Sequence, residues 1–348
     1  MAGDGLGSTC LQPLGMLPAR SRQARTRDTH PAPQETAHHF AAGPGCPHAA
    51  GGMRLRTALI FGGSGQVGVP LLQRLLRGCW QVTALSREPQ GDAPGLHWLR
   101  GDLATLPALP ARVDAIFSCG PLDAFARWYA GSRIEAPRVI AFGSTSVATK
   151  GDSRDLHERD LVARLRGGEE AVLAAAHGRG ANATLLRPTL VYGAGRDATL
   201  TRIAALARSY RLFPLPRGAN GLRQPVHVDD LADAAWRAID AASAFGHGYD
   251  LPGGETLAYR EMVARVLAAL QPSPRLIELP TPLFRFALLA ARAAGRADSL
   301  GDAAVVRMRE DLVFDAAPAQ RDFGYSARVF APTAAMFEAP AAPGSGDG

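Results

Sequence analysis

The stretch Ala58-Leu-Ile-Phe-Gly62-Gly-Ser-Gly65-Gln-Val-Gly68-Val-Pro-Leu-Leu72 decides the fold of this chain. An apolar run typical of a buried strand precedes the glycines, and apolar residues with helical spacing follow them. Glycine recurs at every third position between the two, which is the pattern of a strand-to-helix turn that accepts a diphosphate. Gly62 permits the tight turn, Gly65 lets the backbone approach a ligand, and Gly68 lets helix and strand pack closely.

This turn predicts a dinucleotide-binding Rossmann unit, because the helix after it presents backbone N–H groups to a diphosphate. A simple glycine-rich turn is the alternative, and the repeated strand and helix units downstream argue against it. The residues expected to contact the dinucleotide at this turn are Gly62, Gly63, Ser64, Gly65, Gln66, Val67 and Gly68.

Short apolar runs alternate with helix-like segments along the chain, which predicts an α/β fold with a doubly wound parallel sheet and a smaller, mainly helical C-terminal lobe. The predicted strands are Leu55 to Phe61, Gln81 to Leu85, Leu96 to Leu99, Val113 to Cys119, Arg138 to Phe142, Thr184 to Arg187, Tyr249 to Leu251 and Arg275 to Leu279. The predicted helices are Gln66 to Arg77, Leu122 to Ala130, Glu158 to His177, Thr199 to Arg208, Asp230 to Ala241, Tyr259 to Leu270, Leu283 to Ala294 and Ala303 to Glu310.

The sequence predicts that the chain divides into four segments. Residues 1–52 are rich in Gly, Pro, Ala and Arg without apolar periodicity, so we expect a disordered extension, with Met53 as a candidate translation start. Residues 53–190 form the expected NAD(P)-binding Rossmann domain, and residues 191–338 a substrate lobe interleaved with the sheet. Residues 339–348, mostly Ala, Pro and Gly, are expected to be a loose tail.

Composition restricts the class of protein. The formal charge of +6 comes without a block of basic residues, which argues against nucleic-acid binding. No stretch approaches the ~18 consecutive apolar residues of a membrane helix, so no membrane span is expected. Four scattered cysteines without a secretory segment indicate a reduced, cytoplasmic setting. The histidines and cysteines match no closed zinc pattern, so we expect no metal site.

The end of the second predicted strand, Ser86-Arg87, bears on the choice of cofactor. An NAD site normally places an acidic residue here for the ribose hydroxyls, whereas a serine and an arginine suit a 2′-phosphate. The sequence therefore predicts NADP(H) in preference to NAD(H). Glu88 is an acidic alternative that could turn toward the ribose, and a solvated surface arginine is the alternative for Arg87.

Gly101-Asp102-Leu103 follows the third predicted strand. A short acidic side chain at this position could accept a hydrogen bond from the adenine amino group, so Asp102 and Leu103 are further candidates for cofactor contact. An Asp that caps a turn or helix is an equally good interpretation of the same residues.

Several of these segments together resemble the extended short-chain dehydrogenase/reductases, the NAD-dependent epimerase/dehydratase superfamily, from about Met53 to about Phe330. The chain resembles atypical members most, including those similar to the nucleotide-binding accessory subunit of respiratory complex I. The resemblance implies a cofactor along the carboxyl edge of the sheet and a C-terminal lobe over a small-molecule substrate. The motifs that carry it are the glycine turn, Gly101-Asp102-Leu103, Phe142-Gly-Ser-Thr-Ser-Val147, Leu186-Arg-Pro-Thr-Leu-Val-Tyr-Gly193 and Pro225-Val-His-Val-Asp-Asp-Leu231.

Within that resemblance, Thr145 matches the active-site Ser/Thr of the family, with Ser144 beside it, and Pro188 is expected to contact the cofactor. The family also uses a Tyr followed four residues later by a Lys, whose charge lowers the pKa of the phenol. Alignment on the helix around residue 170 puts Val162 at the Tyr position and Arg166 at the Lys position, and no YxxxK occurs anywhere. Arg166 could still hold the cofactor ribose.

Replacement groups for the missing pair are few. Lys150, the only lysine of the chain, lies just past Thr145, Tyr192 follows the sixth strand, and His227 precedes a helix. The competing interpretations are a solvated loop charge for Lys150, a packed aromatic for Tyr192 and a structural histidine for His227. Thr145 and Tyr192 are the preferred catalytic candidates.

Two functions fit the sequence. One is an NAD(P)-dependent oxidoreductase or epimerase-like enzyme that has replaced the YxxxK pair. The other is a non-catalytic module that holds NADP(H) for sensing or assembly. The missing pair favours the module, and the retained Ser144-Thr145 favours the enzyme. Substrate and oligomeric state stay open, a homodimer being one option.

Overall fold

The computed structural model describes residues 54–149, 151, 155–293 and 302–338. The predicted extension over residues 1–52 with the candidate start Met53, the candidate Lys150 and the predicted tail over residues 339–348 lie outside the described residues.

The described residues form thirteen strands and ten α-helices. The strands are β1 (Thr57–Phe61), β2 (Gln81–Ser86), β3 (Leu96–Arg100), β4 (Ala115–Ser118), β5 (Arg138–Phe142), β6 (Asn182–Pro188), β7 (Val191–Tyr192), β8 (Leu212–Pro216), β9 (Leu222–Arg223), β10 (Val226–His227), β11 (Gly248–Leu251), β12 (Leu257–Ala258) and β13 (Arg275–Leu279). The helices are α1 (Gly68–Arg77), α2 (Leu122–Gly131), α3 (Ser146–Thr149), α4 (Leu156–His177), α5 (Leu200–Tyr210), α6 (Val228–Ala238), α7 (Tyr259–Ala269), α8 (Thr281–Ala293), α9 (Asp302–Arg307) and α10 (Ala317–Phe323).

Seven strands make one sheet in the order β11-β6-β5-β4-β1-β2-β3, and every neighbouring pair is parallel. The strand order reverses between β1 and β4, which is the topological switch point of a doubly wound sheet. The predicted α/β fold with a parallel sheet is therefore confirmed.

Apolar residues on both sides of the sheet explain its two helical layers. On one side Leu71 and Leu75 of α1 and Leu231 of α6 are fully buried. On the other side Phe125 of α2 and Val172 of α4 are fully buried. Strands buried on both faces form continuous apolar runs, as the sequence around β1, β4 and β5 does.

All the predicted strands and helices are present, with small shifts at their ends. β5 and β13 have the predicted bounds, whereas α1 begins at Gly68 rather than Gln66. The helix starts later because the backbone N–H of Gly65 bonds the carbonyl of Gly62 at 3.0 Å and forms a separate turn first. Among the described residues, no helix is long and apolar enough to cross a membrane.

Parallel strands bring their carboxyl ends to one edge of the sheet. The glycine turn follows β1, Arg87 follows β2, Asp102 comes soon after β3, and Ser144 comes soon after β5. β7 and β10, which pair in parallel, belong to the segments that follow β6. This edge is the candidate site.

Candidate functional site at the carboxyl edge of the sheet

The glycine turn is held by contacts that leave no room for side chains. Gly62 has a φ of 75°, a backbone conformation that favours glycine. A Cβ at Gly68 would lie 2.1 Å from the carbonyl oxygen of Gly62 and 2.6 Å from that of Gly63. The start of α1 therefore lies directly against the turn, as close packing of helix and strand requires.

The middle of the turn rests on β2 and β3. A Cβ at Gly63 would lie 3.1 Å from the Cβ of Ala84 and 3.2 Å from the Trp98 ring. The hydroxyls of Ser64 and Ser86 lie 3.2 Å apart, which joins the turn to the end of β2. Ser86 is buried. Its contact with Ser64 therefore explains the hydroxyl as well as contact with a ligand would.

Arg87 is exposed at the carboxyl end of β2, next to Glu88, which is also exposed. The charge of Arg87 acts on Asp102, although the main cause of the lowered pKa of Asp102 is hydrogen bonding from the backbone of Thr105 and Ala104. The guanidinium thus lies on the side of the sheet edge where β2 and β3 end. This position suits contact with the adenosine half of a dinucleotide.

Asp102 caps its own turn. One carboxylate oxygen accepts from the backbone N–H of Ala104 and Thr105, both at 2.8 Å, and from the Thr105 hydroxyl at 3.0 Å. These contacts favour the turn-cap interpretation over adenine recognition. Leu103 is half-buried and packs against the cluster under α2 and α4.

Thr145 and Ser144 follow β5, as predicted. The Thr145 hydroxyl donates to the carbonyl of Pro188 at 3.2 Å, and the Thr145 backbone N–H bonds the same oxygen at 3.2 Å. The Ser144 hydroxyl lies 3.1 Å from that of Ser146, the first residue of α3. Thr145 is buried and Ser144 half-buried, so Ser144 is the more accessible of the two hydroxyls.

The helix α4 has no phenol or ammonium at the positions of the missing pair. Val162 is 4% exposed and packs in the interior, and Arg166 is exposed. Glu158, one helical turn before Val162, is buried and pairs with Arg307 of α9 at 2.5 Å. Sequence reasoning missed this pair, because its partners lie 149 residues apart.

A partly buried ion pair fixes α4 to β6. Arg187 donates to both carboxylate oxygens of Glu169 at 2.7 Å, and Asp250 of β11 lies 3.8 Å from the same guanidinium. The Glu169 contact raises the pKa of Arg187, and burial raises the pKa of Asp250. An arginine inside the apolar strand sequence Leu185-Leu-Arg187-Pro188 was a signal that could have predicted this pair.

Tyr192 is 1% exposed and lies between two rings, with centroids 5.1 Å from His227 and 4.9 Å from Phe330. Burial raises its pKa to about 12. A phenol that is enclosed in this way and has a raised pKa is a poor proton donor to a ligand at the sheet edge. The structure favours the packed-aromatic interpretation of Tyr192 over a catalytic one.

His227 is buried, and burial lowers its pKa. Its Nδ1 accepts from the backbone N–H of Asp229 at 3.2 Å, which caps α6. Its Nε2 has no hydrogen-bond partner among the described residues. A Cβ at Gly193, which has a φ of 114°, would lie 2.4 Å from Nε2, so the ring is covered by backbone. This arrangement favours the structural interpretation of His227.

A loop that sequence reasoning missed reaches the glycine turn. Arg196, between β7 and α5, donates a hydrogen bond to the carbonyl of Ser64. The turn and this loop line a cavity of about 260 Å³, whose walls include Gly65, Gln66 and Gly193. The sequence Gly193-Ala-Gly195-Arg196 was the available signal, since glycines flank an arginine in a loop at the sheet edge.

Residues 128–251 match the model of the NAD-dependent epimerase/dehydratase family. Over these residues the chain is similar to the NAD-dependent epimerase/dehydratase family. A relative from Stenotrophomonas maltophilia, named 2-alkyl-3-oxoalkanoate reductase, is 28% identical over 316 residues, which are 78% of this chain and 94% of the relative.

Solved structures share the fold of this chain. The terminal R domain of the myxalamid biosynthetic pathway has a TM-score of 0.62 at 20% identity, covering 86% of this chain and 92% of that domain. The UDP-glucuronic acid 4-epimerase of Bacillus cereus, solved in complex with NAD, has a TM-score of 0.59 at 13% identity, covering 81% and 94%.

Proposed function

We propose that this chain binds NADP(H) and acts as an oxidoreductase on the carbonyl or alcohol of a small molecule. The observation that carries the proposal is the glycine turn, where α1 lies so close to Gly62 and Gly63 that only glycine fits at residue 68. A diphosphate can approach such a turn and accept from the N–H groups at the start of α1. The similarity of residues 128–251 to the NAD-dependent epimerase/dehydratase family and the parallel sheet support the same cofactor class.

Preference for NADP(H) rests on Arg87 at the end of β2, where its exposed guanidinium is accessible to a 2′-phosphate. Titration of the purified protein with NADP⁺ and NAD⁺ tests this preference by comparing two dissociation constants. We expect tighter binding of NADP⁺, and Arg87→Ala should remove the difference by weakening NADP⁺ about tenfold. Equal or tighter binding of NAD⁺ by the unmodified chain contradicts the preference.

The reaction we propose is hydride transfer between the nicotinamide, which supplies or accepts the hydride when bound, and a substrate carbon. Ser144 and Thr145 lie soon after β5, where the half-buried Ser144 hydroxyl can hydrogen-bond the substrate oxygen. The buried Thr145 hydroxyl can do so once it leaves the Pro188 carbonyl. The name of the Stenotrophomonas relative supports a carbonyl-reducing reaction, with 3-oxo acids as the first substrates to try.

The test is to mix the protein with NADPH and a panel of 3-oxo acids, other carbonyl compounds and quinones, and to follow NADPH absorbance. We expect consumption of NADPH with at least one class. On that substrate, Thr145→Val and Ser144→Ala should each lower kcat. The catalytic assignment is wrong if Thr145→Val and Ser144→Ala both leave turnover unchanged.

A binding module is the second candidate function, and a specific observation favours it. Val162 is buried at the Tyr position, Arg166 is exposed at the Lys position, and Tyr192 is enclosed. Such a module would bind NADPH with unchanged affinity in the presence of any carbonyl compound and would never oxidise it. The same absorbance experiment therefore separates the two functions.

A further inference from the structure

The loop between β7 and α5 places one guanidinium over the glycine turn. Arg196 is exposed and donates to the carbonyl of Ser64, a residue 132 positions earlier in the chain. Ser64 lies in the part of the turn that we expect a diphosphate to approach. The contact therefore brings a positive charge to the candidate cofactor site from a segment outside the β1–α1 unit.

The residues beside Arg196 are firmly anchored. The carboxylate of the buried Asp197 accepts from the backbone N–H of Thr199 at 3.0 Å and of Leu200 at 2.5 Å, which caps α5. On the other side, the N–H of Gly195 bonds the carbonyl of Met336 at 2.9 Å. The backbone of the loop is thus held in place, and the Arg196 side chain is the part that can move.

The cavity beside this contact has room for a ligand group. It measures about 260 Å³ and is lined by the glycine turn, the start of α1, the loop and the start of α6. Arg196 is the cation among its lining residues, and Asp229 is the carboxylate. The Asp229 carboxylate lies 3.5 Å from a guanidinium nitrogen of Arg328, so its charge is partly balanced.

We propose that Arg196 is a diphosphate-binding residue, which leaves the Ser64 carbonyl and pairs with the diphosphate of the bound dinucleotide. A neutral carbonyl is a weaker partner for a guanidinium than a doubly charged diphosphate, whose hydrogen bonds are charge-assisted. Because the side chain is exposed, its movement requires little desolvation. This proposal rests on the proposed function, since it requires a dinucleotide at the turn.

The contributions of Arg196 and Arg87 to binding should be distinguishable, because the two residues affect different ligands. A diphosphate is common to NADP⁺, NAD⁺ and ADP-ribose, whereas the 2′-phosphate near Arg87 is present in NADP⁺ alone. Loss of Arg196 should therefore weaken all three ligands by a similar factor. Loss of Arg87 should weaken NADP⁺ selectively.

The experiment measures dissociation constants of NADP⁺, NAD⁺ and ADP-ribose by calorimetry for the unmodified chain, Arg196→Ala, Arg196→Lys and Arg77→Ala. Arg77 is the matched control, because it is an exposed arginine that donates to one backbone carbonyl at the far end of α1. We expect Arg196→Ala to weaken each ligand about tenfold to a hundredfold, Arg196→Lys less, and Arg77→Ala not measurably.

Thermal unfolding of each variant, followed by circular dichroism, shows whether it is folded at the temperature of the titration. Unchanged affinities in a folded Arg196→Ala overturn the proposal, as does selective weakening of NADP⁺, which would assign Arg196 to the 2′-phosphate. If Arg196→Ala unfolds, the folded Arg196→Lys and an Arg196→Gln variant decide by the same comparison. Absence of binding by the unmodified chain would instead contradict the proposed function itself.

Discussion

Gly68 is the residue on which the geometry of the turn depends most directly. A methyl group there would lie 2.1 Å from the carbonyl oxygen of Gly62, and backbone cannot give way as a flexible side chain does. We expect Gly68→Ala to lower the free energy of unfolding by about 2–3 kcal/mol, a typical cost of overpacking, and to abolish dinucleotide binding. Urea unfolding and a cofactor titration measure the two effects.

Gly167→Ala is the control for that substitution. Gly167 also lies in a helix, α4, but a Cβ there meets nothing within 4 Å. Alanine should therefore stabilise the chain by about 0.5–1 kcal/mol through its helix propensity and leave binding unchanged. Similar effects of both substitutions would show that the contact at Gly68 is not the cause.

His227 should make stability depend on pH. Burial lowers its pKa in the folded state, Asp229 and Asp230 oppose that effect, and Arg328 adds to it. As pH falls below about 6.5, the ordinary pKa of histidine, the unfolded chain takes up a proton that the folded chain does not. The free energy of unfolding should therefore decrease below that pH and level off beneath the lowered pKa.

Urea unfolding between pH 5 and 8, a range of about three units around the histidine pKa, measures this dependence. His227→Asn keeps an acceptor for the N–H of Asp229 and removes the titration, so its stability should vary less with pH. His157→Asn, at an exposed position on α4, is the control and should keep the slope of the unmodified chain. Identical slopes for all three proteins would rule out His227 as the source.

At the scale of elements, the pair Glu169–Arg187 holds α4 against β6. Glu169→Gln keeps the shape but leaves a partly buried guanidinium with Asp250, 3.8 Å away, as its remaining carboxylate, and we expect a loss of about 2–4 kcal/mol in the free energy of unfolding. The exposed neighbour Glu170→Gln is the control and should change stability by less than about 0.5 kcal/mol. Chemical unfolding of both variants compares them, and equal losses would contradict the role of the pair.

The elements also show why some of the structure was predictable from sequence. β1, β4 and β5 are buried on both faces, so their apolar runs mark them without further information. β7 and β10 are two residues long, and only their pairing with each other defines them. Local sequence contains no signal for a pair of that kind, so these strands were not predicted.

The candidate site also has a part that the sequence predicts and a part that it does not. The glycine turn is local, and its spacing predicted the close approach of α1 that the structure contains. The position of Tyr192 after a strand predicts a site residue, yet its environment is set by Phe330, far away in the sequence. The contact of Arg196 with Ser64 likewise joins distant segments. Contacts over such separations depend on the tertiary fold and cannot be inferred from spacing.

At the scale of the whole molecule, Glu158 and Arg307 connect the Rossmann layer to the C-terminal segments. Their side chains are 10% and 22% exposed, so the ion pair is mostly removed from water. Within the C-terminal segments, the buried guanidinium of Arg223 in β9 donates to the carbonyls of Arg307 and Glu310 and holds the end of α9. The position of α9 thus depends on charged contacts as well as on the apolar contact of Val305.

We therefore expect Arg307→Ala to release α9 while leaving the cofactor site intact. Amide hydrogen exchange of residues 302–307 should become at least about tenfold faster, since a loss of 1.4 kcal/mol in local stability corresponds to that factor. The dissociation constant of NADP⁺ should stay the same, because the glycine turn and Arg87 belong to β1, α1 and β2. Arg309→Ala, two residues along the same segment but with exposed contacts to Thr281 and Arg217, is the control. If its effect on exchange equals that of Arg307→Ala, the ion pair with Glu158 does not determine where α9 lies.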